Sequence, residues 1–453
     1  MSWTLLAVSR ARRATGPLSA VALVVALACG CTNTAAPVPT ADATYGVPIE
    51  INTPQGLRAK QTIDMLNSEW PIGTVGVRTL AAPEQVNEVT SAMGNLWLDR
   101  PITVAGIDIG AGQATLHVLT SYGVAQDISL RTNDAGLVDR FEVSLEEPQI
   151  NTWQDVDTEL SKTGARYSYQ VSKVNDGRCT TVAGTNVDLS LPLASIFKLY
   201  VLLAVAEAVK AGTLEWTDPL TITKEAKAVG SAGLQELAPG AQVSVRKAAQ
   251  EMISASDNMA TDLLIARLGP GAVERALVTA GHHDPASMTP FPTMHELFSI
   301  GWGQPDLREQ WKQASPQVRA QLLEQTNSRP FQPDPVRTGT PASEYGAEWY
   351  GSASDICRVH AALQAAAVGE AAPVREILSA VPGISLDESK FPYIGAKGGN
   401  LPGDLTFSWY AVDRTGQPWV VSFQLNWPRF RSQTAAGWLL SVAHKTFGLI
   451  PVS

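Results

Sequence analysis

From Leu191 to Val209 the chain carries a run that can fold in few ways. Tyr200, Val201, Leu202, Leu203, Val205 and Val209 place apolar side chains on nearly every side of a helix, and Gly212 stands where a C-cap glycine belongs. A helix without a polar face has to lie in the middle of a lobe, with other elements packed all round it. Its first turn is different: Leu191-Pro-Leu-Ala-Ser195-Ile-Phe-Lys198 puts a hydroxyl and, one turn later on the same side, an amine at the start of the run. A serine at a helix N-terminus feels the positive end of the macrodipole, and a desolvated lysine beside it loses its proton more readily. Those are conditions for an activated nucleophile. The spacing alone is not specific. Ser244-Val-Arg-Lys247 repeats it, and there a serine N-cap before another helix is the better reading.

The 453 residues suggest two or three domains, and 45% hydrophobic content is enough for globular cores. Arg10, Arg12 and Arg13 precede an apolar stretch from Leu18 to Leu27, too short to span a bilayer, so the N-terminus reads as an export signal. It ends in Ala28-Cys29-Gly30-Cys31, which resembles a bacterial lipobox. Cys31 fits the acylated position better than Cys29, and a lipid there would anchor the protein at a membrane surface on the outer face of the cell. Losing the leader takes the formal charge from −9 to −12, a balance that argues against nucleic acid as a partner. Cys179 and Cys357 remain, and an oxidising compartment would allow them to pair. The chain holds no C-x-x-C or His/Cys cluster of the kind that binds zinc, so no metal or other cofactor is expected.

The pattern divides the chain into residues 1–31 (signal), 32–50 (flexible linker), 51–150 and 151–453, with an α+β class for both folded parts. In the first, helices over 55–66 and 82–93 precede four alternating strands over 102–109, 114–120, 124–131 and 138–145. One helix across a curved four-stranded sheet resembles the cystatin and ketosteroid-isomerase-like folds. His117 and Asp127 lie on these strands and are expected to be ordinary, satisfied side chains. In the second part, a hairpin over 167–173 and 179–183 turns at Asn175-Asp-Gly177. A helical stretch over 193–381 follows, then strands over 393–397, 405–412 and 419–427 and a helix over 429–447. The layout is an antiparallel sheet begun early and completed late, with a helical lobe inserted between.

Two further motifs follow Ser195 in order. Ser256-Asp257-Asn258 sits between two expected helices, and Lys397-Gly398-Gly399 lies on a late strand. S-x-x-K, then S-D-N, then K-[TS]-G resembles the signature of class A β-lactamases and penicillin-binding proteins. Ser231-Ala-Gly-Leu-Gln-Glu-Leu237 is similar to the segment before S-D-N in class A enzymes. The resemblance covers roughly residues 152–453, and the two-part chain behind a lipid signal looks like a group of actinobacterial two-domain β-lactamase-like proteins. It implies Ser195 as nucleophile, Lys198 as its base, Ser256 as proton donor to the leaving atom and Lys397 as a positive charge that draws a substrate carboxylate. Asn258 would hold Lys198 or the substrate amide, or simply cap the next helix. Gly398 and Gly399 would line the substrate site, and the backbone N–H groups of Ser195 and Asn400 would form an oxyanion hole.

Two departures matter. Gly398 stands where the family has a threonine or serine that binds the carboxylate, a loss of about 1.5–3 kcal/mol of binding. No E-x-x-L-N motif supplies the glutamate that activates the deacylating water; Glu296 and Glu348 fall in the right interval without its flanking pattern. The expected function is an exported, membrane-anchored serine hydrolase acting on β-lactams, D-Ala-D-Ala peptides or small esters, with slow β-lactam turnover. The alternatives are a non-catalytic lipoprotein that kept the fold, and a sheet domain that serves as an interaction module with the hydrolase secondary.

Overall fold

The structure is a computed structural model that describes residues 46–223, 233–429, 431 and 433–452. Cys29 and Cys31, and the first two residues of the 231–237 segment, lie outside the described residues. The chain divides into two compact units, one of residues 46–121 with 125–144, the other of residues 122–124 with 145–452.

In the N-terminal unit, α1 (Pro54–Leu66) begins where Thr53 accepts a hydrogen bond from the Gly56 N–H and Pro54 supplies a preset φ. With α2 (Val86–Trp97) it covers a four-stranded antiparallel meander, β1 (Thr103–Gly110), β2 (Gln113–Leu119), β3 (Ala125–Thr132) and β4 (Val138–Leu145). Ile63, Leu66, Val89, Met93 and Leu96 meet Leu116, Val118, Ile128 and Leu130 in its core. Two helices rather than one share the apolar face, since β2 and β3 each expose a full row of alternate side chains to be covered. His117 projects to the opposite face, where Nδ1 pairs with Asp127 at 2.7 Å and Nε2 with Asp108 at 3.2 Å. These hydrogen bonds, Asp108's the larger contribution, raise its pKa above the ordinary value.

The C-terminal unit is built on one antiparallel sheet. After α3 (Trp153–Ser161), set by the Thr152–Asp155 capping box, come β5 (Arg166–Asn175) and β6 (Arg178–Thr185). Asp176 and Gly177 both take positive φ between them, the backbone a two-residue hairpin requires. Much later come β7 (Tyr393–Leu401), β8 (Asp404–Val412) and β9 (Pro418–Asn426), and the sheet order is β7-β8-β9-β5-β6. One face packs on α3 and α9 (Gln433–Gly448) through Val156, Leu160, Trp438 and Leu439 against Tyr169, Trp409 and Phe423. The helical lobe covers the other. At its centre runs α4 (Lys198–Lys210), whose residues from Lys198 to Ala206 are all buried. Around it lie α5 (Val245–Ser254), α6 (Asn258–Leu268), α7 (Met294–Trp302) and α8 (Ala353–Ala366).

The stretch over 193–381 is not wholly helical. Pro219–Thr221 pairs with Gln242–Ser244, and Tyr350–Gly351 with Leu191–Pro192. Pieces of two or three residues are too short to show alternation. Cys179 on β6 and Cys357 on α8 form a disulfide, with Cα atoms 6.3 Å apart, beside Val174, Tyr410 and Val420. Near the β7–β8 turn, Glu348 and Asp404 are buried side by side. Burial, then the other carboxyl, holds the Glu348 pKa well above the carboxylate range, and burial lifts Asp404 to about 7. Two carboxyls at one dry site retain a proton between them.

Two outcomes follow from these contacts. Replacing both Cys179 and Cys357 by serine is expected to cost about 2–5 kcal/mol, because the bridge closes a loop of 178 residues, read as a fall in the urea midpoint. The carboxyl pair has raised folded pKa values, so the folded state binds more protons than the unfolded one. Its contribution is complete below the unfolded carboxyl values and is lost as pH rises through about 7. Glu348→Gln, which keeps a donor for Asp404 at every pH, is expected to lose less stability than the parent between pH 6 and pH 9 in the same urea assay.

Candidate functional site

Between Leu191 and Ala206 every residue is buried except Ser195. The nucleophile candidate is thus the one opening in the most apolar segment of the chain. It lies in a single 3-10 turn, Ala194–Phe197, that leads into α4, rather than at the start of the α-helix itself. Ala194 just before it takes φ +43°, a left-handed conformation that costs a non-glycine residue about 1–3 kcal/mol and is held by its surroundings. Trp349 supplies part of that hold: its ring stacks on Phe197 at 3.7 Å between centroids, and its carbonyl accepts from the Leu193 N–H.

Lys198 is fully buried one turn on. Its Nζ donates to the Ser256 carbonyl at 2.7 Å and to Asn258 Oδ1 at 2.7 Å, with Ser256 Oγ at 3.2 Å. Burial is the main cause that lowers its pKa, to about 7, against the opposing pull of Asp257 and Asp262. A neutral amine has two N–H bonds and one lone pair. The two carbonyl oxygens can only accept, so they take the N–H bonds and leave the lone pair for a hydroxyl. Ser256 itself takes φ +54° at the turn between α5 and α6.

Asp257, not Asn258, caps α6: its carboxylate accepts from Ala260 N–H at 2.8 Å. Asn258 is the first helical residue, which frees its amide for Lys198. Ser244 accepts from the Lys247 N–H as the N-cap of α5, so the second S-x-x-K is a helix start.

Lys397 reaches the same hydroxyl from the sheet. Its Nζ donates to Ser256 Oγ at 3.0 Å and to the Gly398 carbonyl. Burial, then the nearby Lys198, holds its pKa well below the usual lysine value. The full positive charge expected of Lys397 is therefore weakened. Behind it, Ser408 Oγ donates to the Lys397 carbonyl at 3.1 Å and lies 2.9 Å from His360 Nε2. Having spent its proton, that hydroxyl accepts from the imidazole, so the His360 proton sits on Nε2. Burial pushes the His360 pKa down to about 3, which keeps the ring neutral. Nothing in the sequence joins His360 to the site; the register of β7 with β8 does.

β7 is an edge strand and brings its backbone against the nucleophile turn. A Cβ on Gly399 would stand 2.3 Å from the Ser195 nitrogen, so only glycine fits. Thr406, opposite Gly399, donates to the Leu193 carbonyl at 3.0 Å and fixes the same contact from the next strand. Asn400 follows on β7 and, with Gly398 and Gly399, lines the cleft beside Ser256. At Gly398 a Cβ would meet the Phe407 ring at 2.8 Å. The space that a threonine side chain would need is filled by an aromatic ring from the neighbouring strand.

Neither glutamate in the interval of the water activator is available. Glu296 closes the capping box of α7, its carboxylate taken by the Thr293 N–H at 2.7 Å and by the Asn327 amide. Glu348 is the partner of Asp404. A further cluster, His282, His283 and Asp355, has cation-ligand character, but its atoms serve the protein. His282 Nε2 donates to the Tyr350 carbonyl, its Nδ1 accepts from Asp284 N–H, and Asp355 caps α8 and binds His283.

Residues 151–329 match the model of the β-lactamase enzyme family, and residues 51–138 match that of the ORF 12 gene product N-terminal family. No curated protein matches the chain. Among solved structures, the chain is similar to a β-lactamase from Sphaerobacter thermophilus at 21% identity, over 67% of this chain and 100% of that one, with a TM-score of 0.45. It is similar to PBP-A at 17% identity, over 67% and 98%, with a TM-score of 0.43. The chromosome-encoded β-lactamase of Vibrio parahaemolyticus aligns at 15% identity over 66% and 99%, with a TM-score of 0.46.

A base with a pKa near 7 has a visible signature. Labelling of Ser195 by phenylmethylsulfonyl fluoride, followed by intact mass, is expected to speed up as pH rises through about 7 and to level off above it. Lys198→Arg, which stays protonated throughout, is expected to slow labelling by about 10²-fold or more.

Proposed function

From a C-terminal unit that belongs to the serine β-lactamase and penicillin-binding-protein superfamily, we propose a serine acyl hydrolase that works through an acyl-enzyme on Ser195. The observation that carries this reading is the fully buried Lys198 amine, one turn from the single accessible residue of its segment. Lys198 takes the Ser195 proton as Oγ attacks the acyl carbon. Ser256, hydrogen-bonded to Lys198 and Lys397, gives a proton to the leaving atom and is refilled from Lys198. Asn258 keeps the amine in place. The backbone N–H groups of Ser195 and Asn400 receive the charge that develops on the carbonyl oxygen.

Release of the acyl group is the slow half of this cycle. Glu296 and Glu348 are both engaged elsewhere, so an acyl group that shields its own carbonyl, as an opened β-lactam does, persists on Ser195. Small esters suit the site better than fast β-lactam turnover, and better than D-Ala-D-Ala peptides, whose leaving residue carries a carboxylate. The leader, with Cys31 as the lipid-bearing residue, supports an exported, membrane-anchored protein at the outer face of the cell. Its substrates there are small molecules or fragments of peptidoglycan, and its negative charge disfavours nucleic acid.

Incubation with a chromogenic cephalosporin and intact-mass analysis tests the reading. A lasting adduct that is absent in Ser195→Ala is expected. No adduct, together with no hydrolysis of phenyl acetate above the Ser195→Ala background, would overturn it.

A further inference from the structure

Beside the Ser256–Lys397 pair the cleft continues into a cavity of about 40 Å³ beneath Gly398. Its walls are mostly apolar, made by Ile253, Leu405, Phe407, Trp409 and Leu440, with Ser254, Ser256, Asn400 and Ser408 as the polar residues besides Lys397. Among the described residues that line it, Lys397 is the only one with an ionisable side chain, and its amine is already committed to Ser256 Oγ and the Gly398 carbonyl. The Phe407 ring stands where a side chain at 398 would be. An anion placed here would leave water for mostly hydrocarbon walls, an amide, hydroxyls of which Ser254 and Ser408 already donate to backbone carbonyls, and one weakened cation, which is costly. An alkyl group would exchange water for the same walls at a gain of about 0.8 kcal/mol per methylene.

Position says which end of a substrate goes in. The hydroxyl that protonates the leaving atom, Ser256, is among the groups that line the cavity, while Ser195 meets Gly399, two residues beyond Lys397 on the same face of β7. The group bonded to the leaving atom is therefore the one that faces the pocket. About 40 Å³ is the room of roughly three waters, which suits two or three carbons and not a long chain.

We propose that the substrates are neutral esters whose leaving alcohol carries a short apolar substituent, and that this substituent occupies the pocket beneath Gly398. The proposal rests on the acyl-enzyme reading of Ser195. Ser195 Oγ forms a bond to the ester carbon, and the bond from that carbon to the alkoxy oxygen breaks. The Ser195 proton passes through Lys198 and Ser256 to the departing oxygen, giving the free alcohol and an acyl-serine. Water then yields the acid and the free enzyme.

Hydrolysis of ethyl, propyl and hexyl acetate and of 3-acetoxypropanoate, read by proton NMR of the released alcohol, tests it with the purified full chain. Propyl acetate is expected to exceed both hexyl acetate and the carboxylate-bearing ester by about tenfold or more in kcat/KM. Phe407→Ala is expected to move the preference towards hexyl acetate; Phe407→Leu, a milder truncation, makes the same test if the alanine variant does not fold. Equal turnover of propyl acetate and 3-acetoxypropanoate would overturn the proposal alone, as would a chain-length order unchanged in both Phe407 variants. No release from any ester above the Ser195→Ala background would overturn the acyl-enzyme reading and this proposal with it.

Discussion

The site depends on one buried amine to which, among the described residues, no carboxylate is hydrogen-bonded. Lys198 is sealed in the lobe, and its hydrogen-bond partners are a backbone carbonyl, an amide oxygen and a hydroxyl. An ion pair would have fixed it as an ammonium. Neutral acceptors in a dry setting leave desolvation as the larger influence, with Asp257 and Asp262 acting only through space. Asp257 is turned to the first N–H groups of α6, and Asp262 to the Met294 and His295 N–H groups at the start of α7. Both of these carboxylates are occupied by a helix end.

The rest of the unit holds that amine in place by opposing parts. Strained turns at Ala194 and Ser256 present two hydroxyls from the lobe, and β7 closes against them from the sheet. The contact at Gly399 leaves no room for adjustment, and Thr406 and Ser408 on β8 fix the position of β7 from behind. Strain of this kind persists only where packing over-determines it. Here the packing is aromatic, with Phe197, Trp349 and Phe291 in mutual contact.

Much of this was legible in the residues themselves. The all-round apolar run gave away a central helix, and Asp176-Gly177 gave away the hairpin, because both are local properties of the chain. The order of three motifs separated Ser195 from Ser244, and the capping hydrogen bond at Ser244 agrees. What stayed hidden depends on register and on distant segments. Gly398 reads as a missing hydroxyl until β8 places Phe407 opposite it. Glu348 stands in the interval of a water-activating glutamate until the β7–β8 turn brings Asp404 to it. Asn258 and Asp257 exchange parts in capping, a choice made by one residue's backbone angle. The pairing of Cys179 with Cys357 needs the packing of α8 on the sheet, which no spacing encodes.

The strand order carries a consequence for how the protein is made. β9, the middle strand of the sheet, is the last of the five to be synthesised, and it alone joins the β5–β6 hairpin to the β7–β8 hairpin. Until residue 426 is available there are two separate hairpins and no sheet for the lobe to close on. At ordinary synthesis rates Ser195 precedes that moment by roughly 10–50 s. For that interval the apolar run behind it has no sheet to close on, and a chain cut short anywhere before β9 holds Ser195 and Lys198 without the rest of the cleft.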